Sequence, residues 1–258
     1  MLKWAGGKSW LLPRLMQLYQ PHRDRALAEP FVGGMNVALG LEPRRALLND
    51  VNQHLINFYD QIAKGQSRFT LKMENEEFLY YRYRRCFNEL MKMDGAWRTQ
   101  TAAELFYYLN RTGFNGLCRF NNSGEFNVPF GKYNTITYRR DFSPYTKKLQ
   151  NWYITPGSFD DFFRVLFEGA FVFADPPYDG TFVDYSSGGF SWNDQVRLAK
   201  VLAQYNGPVV ATNQATERVL KLYTELGFTV EVVDAPRRIS SNGNREPAKE
   251  MLATKGVN

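Results

Sequence analysis

The run Phe171-Val-Phe-Ala-Asp-Pro-Pro-Tyr178 is an apolar stretch that stops at a carboxylate. Residues 169–174 have the composition of a short strand buried on both faces, as in parallel sheets, and Asp175 falls where that strand emerges at its carboxyl end. Ligands of open α/β sheets bind at that edge. Pro176 and Pro177 fix two successive φ angles and withhold two backbone donors, so the chain presents acceptors beside Asp175. A cluster of acceptors suits an amino group. Tyr178 adds a flat aromatic face, and a planar amine such as a nucleobase stacks on such a face. The competing reading is a strand followed by a proline-rich turn in which Asp175 caps a helix, and the remaining chain decides between the two.

Two glycine turns and one acidic strand end belong with that stretch. Lys3-Trp-Ala-Gly-Gly-Lys8 sets two glycines between an indole and an amine, then runs into a helical pattern over residues 10–16. Backbone N–H groups at a helix start attract anions and Lys8 adds a full charge, but the spacing is not that of a P-loop. A strand at 26–28 leads into Glu29-Pro-Phe-Val-Gly-Gly34 and then a helix over 36–41. This unit lacks the G-x-G-x-x-G fingerprint of nicotinamide enzymes, yet it allows close approach of a ligand without a pyrophosphate. The next strand, 45–48, ends at Asn49-Asp50, at about the offset where an acidic side chain meets ribose hydroxyls in such folds. Capping of the helix expected over 51–62 is an equally physical use of that pair.

From about residue 64 the texture changes. Residues 78–90 form an amphipathic helix dense in arginine and tyrosine, residues 102–110 another, and strand alternation is absent until about 170. Between 111 and 133 glycine and asparagine forbid long helices. Gly116 and Gly124 open turns between short β segments, so a hairpin is expected whose tip exposes Phe114, Leu117 and Arg119 beside Lys132 and Tyr133. Interleaved Arg111, Asn115, Arg119 and Asn121 suit nucleic acid better than the aromatic core that hairpins usually build. Beyond 170 the α/β pattern returns, with helices over 191–202 and 216–226 and strands over 208–212 and 228–233. The glycine and serine run 184–191 is suited to closing over a substrate. Residues 237–245 are a basic loop around an Asn-Gly turn, placed for phosphate contact.

The chain has 258 residues, 44% of them hydrophobic and 22% charged, which is a globular composition with material for a sizeable core. No apolar run approaches the ~18 residues of a membrane span, and the charged start leaves no room for a secretory signal, so a cytoplasmic protein is expected. Cys86, Cys118, His22 and His54 lack metal-ligand spacing, and no metal is expected. The net charge of +6 favours a polyanionic partner, though weakly by itself.

Taken in order along nearly the whole chain, these segments resemble the Dam family of DNA adenine methyltransferases (D12 class, α-type). Lys3–Lys8 is similar to its N-terminal cofactor motif, Glu29–Gly34 to its glycine motif, Asn49-Asp50 to its ribose motif and Asp175–Tyr178 to its catalytic motif, while 115–131 is similar to its recognition hairpin. Met35 stands where many members carry a third small residue. The resemblance implies an α/β, Rossmann-like S-adenosylmethionine-dependent methyltransferase fold built from 1–55 and 145–258. It also implies an inserted, mainly helical target-recognition domain at 56–144 carrying a β-hairpin. By the same resemblance Asp175, Pro176, Pro177 and Tyr178 are catalytic, and S-adenosylmethionine contacts Trp4, Ala5, Gly6, Lys8, Glu29, Pro30, Phe31, Gly33, Gly34, Asp50 and Asp175. Double-stranded DNA is contacted by Lys3, Arg111, Phe114, Asn115, Leu117, Arg119, Asn121, Pro129, Lys132 and Tyr133, and by Arg237, Arg238, Ser240, Ser241, Asn242 and Arg245. Lys3 and Arg119 fall where the GATC-methylating branch reads guanines, so GATC or a close relative is expected, from a monomeric bacterial or phage-encoded enzyme.

Two other readings remain open on the sequence. One is a catalytically silent DNA-binding protein that senses S-adenosylmethionine. The other is amino-group methylation of cytosine, RNA or a protein glutamine. Methylation of a cytosine ring carbon needs a nucleophilic cysteine, usually after proline, and neither Cys86 nor Cys118 has that context.

Overall fold

The computed structural model describes residues 1–179, 189–236 and 248–257. Its strands are β1 (Leu27–Glu29), β2 (Ala46–Asp50), β3 (Trp152–Pro156), β4 (Phe171–Ala174), β5 (Val209–Gln214), β6 (Thr229–Ala235) and β7 (Ala248–Lys255). They form one sheet in the order β3-β2-β1-β4-β5-β7-β6. The helices are α1 (Leu12–Tyr19), α2 (Asn36–Leu41), α3 (Gln53–Ala63), α4 (Glu77–Met91), α5 (Gln100–Thr112), α6 (Ser143–Leu149), α7 (Phe159–Val165), α8 (Trp192–Gln204) and α9 (Glu217–Glu225). The chain divides into two compact units. One holds Met1–Gly7 and Asp50–Gly157; the other holds Lys8–Asn49 and, among the described residues, 158–179, 189–236 and 248–257.

In the second unit β1 pairs in parallel with β2 on one side and β4 on the other, and β4 pairs in parallel with β5. The strand order therefore reverses at β1, and the carboxyl ends that carry Glu29, Asp175 and Asn213 share one edge of the sheet, where such folds bind ligands. Small residues line the strands: Ala28, Ala174, Ala211 and Ala253 are buried and let Phe159, Phe162, Leu198, Leu202 and Tyr223 pack closely on them. Helix α8 begins with a capping box between Ser191 and Asp194.

The first unit is helical with an aromatic core. Phe58 of α3 stacks on Tyr107 of α5 at 5.5 Å, and Phe142 meets both rings edge-on. Helix α3 is capped by Asn52, whose side chain accepts the N–H groups of His54 and Leu55, so neither Asn49 nor Asp50 serves as its cap.

Three features differ from the sequence expectation. The hairpin around Gly116 and Gly124 forms no ladder: Phe120↔Phe126 and Gly113↔Phe130 are isolated bridges, and Phe114–Gly116 is a 3-10 turn. Side chains of α4 take the place of a second strand, because Asn88 bonds both the N–H and the C=O of Phe126 while Tyr80 and Arg84 donate to the Val128 carbonyl. Strand β3 was not expected; it is short, with only Trp152 fully buried. Strand β7 was not expected either, and it inserts antiparallel between β5 and β6 with Met251–Ala253 buried in succession. No helix among the described residues is long and apolar enough to cross a membrane.

His54 lies in the first unit's core, stacked on Phe120 at 5.1 Å, with a buried Nδ1 that has no partner among the described residues. Burial lowers its pKa from 6.5 to about 4. The unfolded chain therefore binds a proton that the folded chain refuses, and stability is lost as pH falls from 6.5 toward about 4. We expect urea unfolding at pH 7 and pH 4.5 to show a loss about 2 kcal/mol smaller in His54→Phe than in wild type. Equal losses would place the acid lability elsewhere.

Candidate functional site

In the second unit, β4 ends at Asp175 and the following loop turns toward β5 and β7. The Asp175 carboxylate is held from two sides: Thr212 Oγ1 of β5 donates to its Oδ1 at 2.7 Å, and Lys8 Nζ lies 2.9 Å from its Oδ2. Lys8 is only 3% exposed, and its Nζ also lies 3.9 Å from Glu250 Oε2 and 4.8 Å from the Tyr178 ring centroid. The Tyr178 hydroxyl donates to Glu250 Oε2 at 2.5 Å. Burial, with Asp175 and Glu250 adding to it, pushes the Tyr178 hydroxyl well above its ordinary range, so it stays a donor. Burial likewise raises the Glu250 carboxyl, opposed by Lys8 and by the bond from Tyr178. The Lys8 charge thus meets carboxylates of its own unit, whereas the sequence suggested a site for an external anion.

Behind the loop, Gln195 and Asn213 are buried and hydrogen-bonded. Gln195 Nε2 donates to the Pro177 carbonyl at 2.7 Å, Asn213 Nδ2 donates to Gln195 Oε1 at 2.9 Å, and Asn213 Oδ1 accepts the Asp179 N–H at 3.1 Å. Arg218 holds the Asp179 carboxylate and stacks over Trp192. The Pro177 carbonyl is therefore engaged inside the protein and is not presented to a ligand. Asp175 offers an acceptor beside Tyr178, because its two oxygens keep lone pairs beyond those used by Lys8 and Thr212.

The glycine turn is built the same way. Asn49 Nδ2 donates to the Pro30 carbonyl at 3.0 Å, and the Val32 N–H donates to the Asn49 carbonyl at 2.7 Å. Gly33 has φ 45° and Met35 φ 57°, so the turn places a buried, non-glycine residue in left-handed conformation at the cap of α2. Glu29 is buried, its carboxyl is raised well above the ordinary range by burial, and its Oε1 has no hydrogen-bond partner among the described residues. Phe31 packs on Phe159 and Phe190. Gly34 is buried in the same turn.

The first unit gathers a different set. The Lys3 N–H donates to Asn110 Oδ1 at 2.8 Å and Asn110 Nδ2 donates to the Lys3 carbonyl at 2.7 Å, a two-way clamp. Lys3 Nζ donates to the Arg111 carbonyl and lies 3.8 Å from the Tyr133 ring centroid. Gly116 has φ 63°, and a Cβ there would stand 2.6 Å from the Lys3 Cβ, so this backbone approach requires glycine. The Phe114 N–H donates to the Pro129 carbonyl, and Phe114, Asn115, Leu117, Pro129 and Lys132 are exposed. Arg119 Nε donates to Asn127 Oδ1, Arg111 Nε to the Thr137 carbonyl, and Asn121 Oδ1 accepts the N–H groups of Ser123 and Glu125. Trp4 is half-buried and Ala5 and Gly6 are exposed in this unit. Asp50 ends β2, and its Oδ1 accepts the Asn52 N–H.

Arg237, Arg238, Ser240, Ser241, Asn242 and Arg245, and the run 184–188, lie outside the described residues. Sequence reasoning missed Glu250, Thr212, Gln195, Asn213 and Asn110. The last four carry no motif; Glu250 sits in a strand whose charged start hid it. Among the described residues no cluster of three or more His, Cys, Asp or Glu could hold a metal ion.

The family model for D12 class N6 adenine-specific DNA methyltransferases matches residues 4–239. The retron Ec67 DNA adenine methylase of Escherichia coli is 35% identical over 268 residues, covering 100% of this chain and 91% of that protein. The DNA adenine methylase of Vibrio cholerae serotype O1 is 34% identical over 98% of this chain and 94% of its own. The DNA N-6-adenine-methyltransferase of Escherichia phage P1 is 34% identical over 98% of this chain, which spans 35% of that longer protein.

Removing the Lys8 charge leaves Asp175 and Glu250 facing each other without a cation. We expect Lys8→Met to cost about 2–4 kcal/mol of stability at pH 7, reduced from the full buried-pair value because Asp175 is 19% exposed. The deficit should shrink on acidification as Glu250, whose carboxyl is raised by burial, discharges. Denaturant titrations at pH 7 and pH 4.5 check this, and a deficit independent of pH would reassign Lys8 to packing alone.

Proposed function

The chain belongs to the D12 class of N6 adenine-specific DNA methyltransferases, and from that premise we propose that it moves a methyl group from S-adenosylmethionine to the 6-amino group of an adenine flipped out of duplex DNA, within GATC. The observation that carries this reading is the Asp175–Tyr178 loop at the sheet's carboxyl edge, with its carboxylate fixed by Lys8 and Thr212. The names of the relatives give no support to a silent sensor, or to methylation of cytosine, RNA or glutamine.

The donor set fits S-adenosylmethionine, whose amine and ribose hydroxyls need acceptors. Glu29 Oε1 is a buried, unpartnered acceptor among the described residues, at the strand end beside the Gly33 turn. Glu29, Pro30, Phe31, Gly33, Gly34, Lys8 and Asp175 would line the cofactor. Trp4, Ala5, Gly6 and Asp50 are assigned to it from the motif match. When bound, the cofactor would supply an electrophilic methyl on a sulfonium and leave as a neutral thioether, and the methylated amine would then release one proton.

The adenine amine is a poor nucleophile because its lone pair is spread into the ring. Asp175 accepts an N–H of that amine and favours the form with a localised lone pair facing the methyl. Tyr178 supports the base by stacking, and Lys8 and Thr212 keep the carboxylate from turning away. Placement and a preorganised acceptor supply the acceleration, with no covalent enzyme intermediate.

We further propose that residues 56–144 form the target-recognition domain, with Lys3 and Arg119 reading guanines and exposed Phe114, Leu117 and Pro129 meeting the duplex beside Arg111, Asn115, Asn121, Lys132 and Tyr133. Asn127 fixes the Arg119 guanidinium through Nε, which supports a bidentate approach to a guanine edge by the remaining nitrogens. Basic residues 237–245 are assigned to phosphates.

Expression in cells lacking adenine methylation tests the chemistry. Plasmid DNA should carry N6-methyladenine at GATC with wild type and none with Asp175→Ala, whose rate should fall at least about 10²-fold while the fold is retained. Methyladenine in another sequence would replace the GATC assignment, and none at all would remove the activity. Arg119→Ala should cost about 1–3 kcal/mol of discrimination between GATC and singly substituted duplexes, read as the ratio of kcat/KM values. A uniform loss over all duplexes would make Arg119 a phosphate contact.

A further inference from the structure

Glu250 has no motif around it and none of the steps above uses it. Its side chain is 13% exposed at the buried end of a charge cluster, on β7, where it is opposed by Gln214 of β5 and Val233 of β6. A carboxylate in that setting is costly unless a donor and a cation meet it. Both do: Lys8 Nζ lies 3.9 Å from Oε2, and the Tyr178 hydroxyl donates to the same oxygen at 2.5 Å. Tyr178 follows two prolines, so its backbone is stiff, and the residue after it, Asp179, is fixed by Asn213 and Arg218. The backbone thus fixes one end of the tyrosine, and Glu250, with Thr212 also hydrogen-bonded to the hydroxyl, fixes the other.

We propose that Glu250 is a positioning residue for methyl transfer, acting through the Tyr178 hydroxyl to hold the aromatic ring in the plane on which the flipped adenine stacks. The inference rests on the reading that Tyr178 faces the base. A ring tethered only at Cα tilts about two side-chain torsions, and the amine at the far side of a stacked base moves with it. In-line transfer to a localised lone pair tolerates little such movement. The carboxylate is well suited to the tether because burial keeps the tyrosine proton on its oxygen, so the bond is always a donated one.

The test compares wild type, Glu250→Ala, Glu250→Gln, Tyr178→Phe and the double variant Glu250→Ala/Tyr178→Phe on a GATC duplex with S-adenosylmethionine. A wild type that transfers no methyl to adenine would overturn the parent reading; every other outcome bears on Glu250. Glu250→Ala and Tyr178→Phe should each lower kcat by about 10- to 100-fold, the loss expected for one hydrogen bond to a charged acceptor, with KM for DNA and cofactor changed less than about threefold. The double variant should be no slower than the slower single one, because one tether has been cut twice. Glu250→Gln keeps an acceptor for the hydroxyl and should recover kcat to within about fivefold of wild type. With 2-aminopurine at the target adenine, Glu250→Ala should flip the base as wild type does but quench its emission less, since quenching reports stacking. If Glu250→Ala does not fold, Tyr178→Phe and Glu250→Gln decide by the same criteria. Losses that multiply in the double variant, a Tyr178→Phe rate equal to wild type, or a Glu250→Gln variant as slow as Tyr178→Phe would each overturn the proposal.

Discussion

A buried ammonium group organises the second unit. Lys8 is 3% exposed, and transfer of such a charge from water costs several kcal/mol unless opposite charge meets it. Two carboxylates and one aromatic face do so, and they come from the loop after β4 and from β7. These two segments lie far apart in sequence, and Lys8 is far from both. Each is satisfied only when the others are in place, so the arrangement that solvates Lys8 is also the one that fixes Asp175. Buried ion pairs contribute little to stability compared with apolar packing, and their value here lies in selecting one geometry for the carboxylate.

The two prolines create a second constraint. They stiffen the loop after Asp175, but they also remove two backbone donors, so the loop cannot hold itself by main-chain bonds. Buried amide side chains supply what is missing, Gln195 toward the Pro177 carbonyl and Asn213 toward the Asp179 N–H. Each amide uses both its oxygen and its nitrogen, since Asn213 Nδ2 donates to Gln195 Oε1. A polar network that is satisfied throughout rigidifies, whereas a half-satisfied one would destabilise the same loop.

What was legible in the sequence follows from these forces. Strand β4 and its carboxylate were visible because a buried parallel strand is continuously apolar and ends abruptly. The glycine turn and the end of β2 were visible for similar reasons. Strand β7 was not, because Lys249 and Glu250 interrupt its apolar run, and the burial of Met251–Ala253 depends on neighbours brought in from β5 and β6. The expected hairpin is reduced to isolated antiparallel bridges, because further partners for its backbone come from Asn88, Tyr80 and Arg84, residues of a helix about forty positions earlier. Tertiary supply of hydrogen bonds leaves no local pattern. Lys8 was legible as a cation beside a glycine pair, but its carboxylate surroundings were not, since Glu250 was unseen.

The two groups of candidate residues are held by different kinds of force, and this separates their sensitivities. Around Asp175 the geometry depends on charge: a lysine, two carboxylates and a tyrosine proton held in place by burial. Around Lys3 it depends on neutral contacts, the two-way amide clamp of Asn110 and a backbone approach to Gly116 closer than any side chain permits. Acidification discharges carboxylates and leaves amides and glycine packing untouched. The position of Lys3 is therefore insulated from the acidification that discharges Glu250 beside Lys8. Its ammonium group is also kept close to acceptors of its own unit, the Arg111 carbonyl and the Tyr133 ring, with burial and the nearby Arg111 charge lowering its pKa. Under the proposed role of Lys3 in base reading, a cation held this way is oriented in advance, so less rotamer freedom remains to be lost on contact.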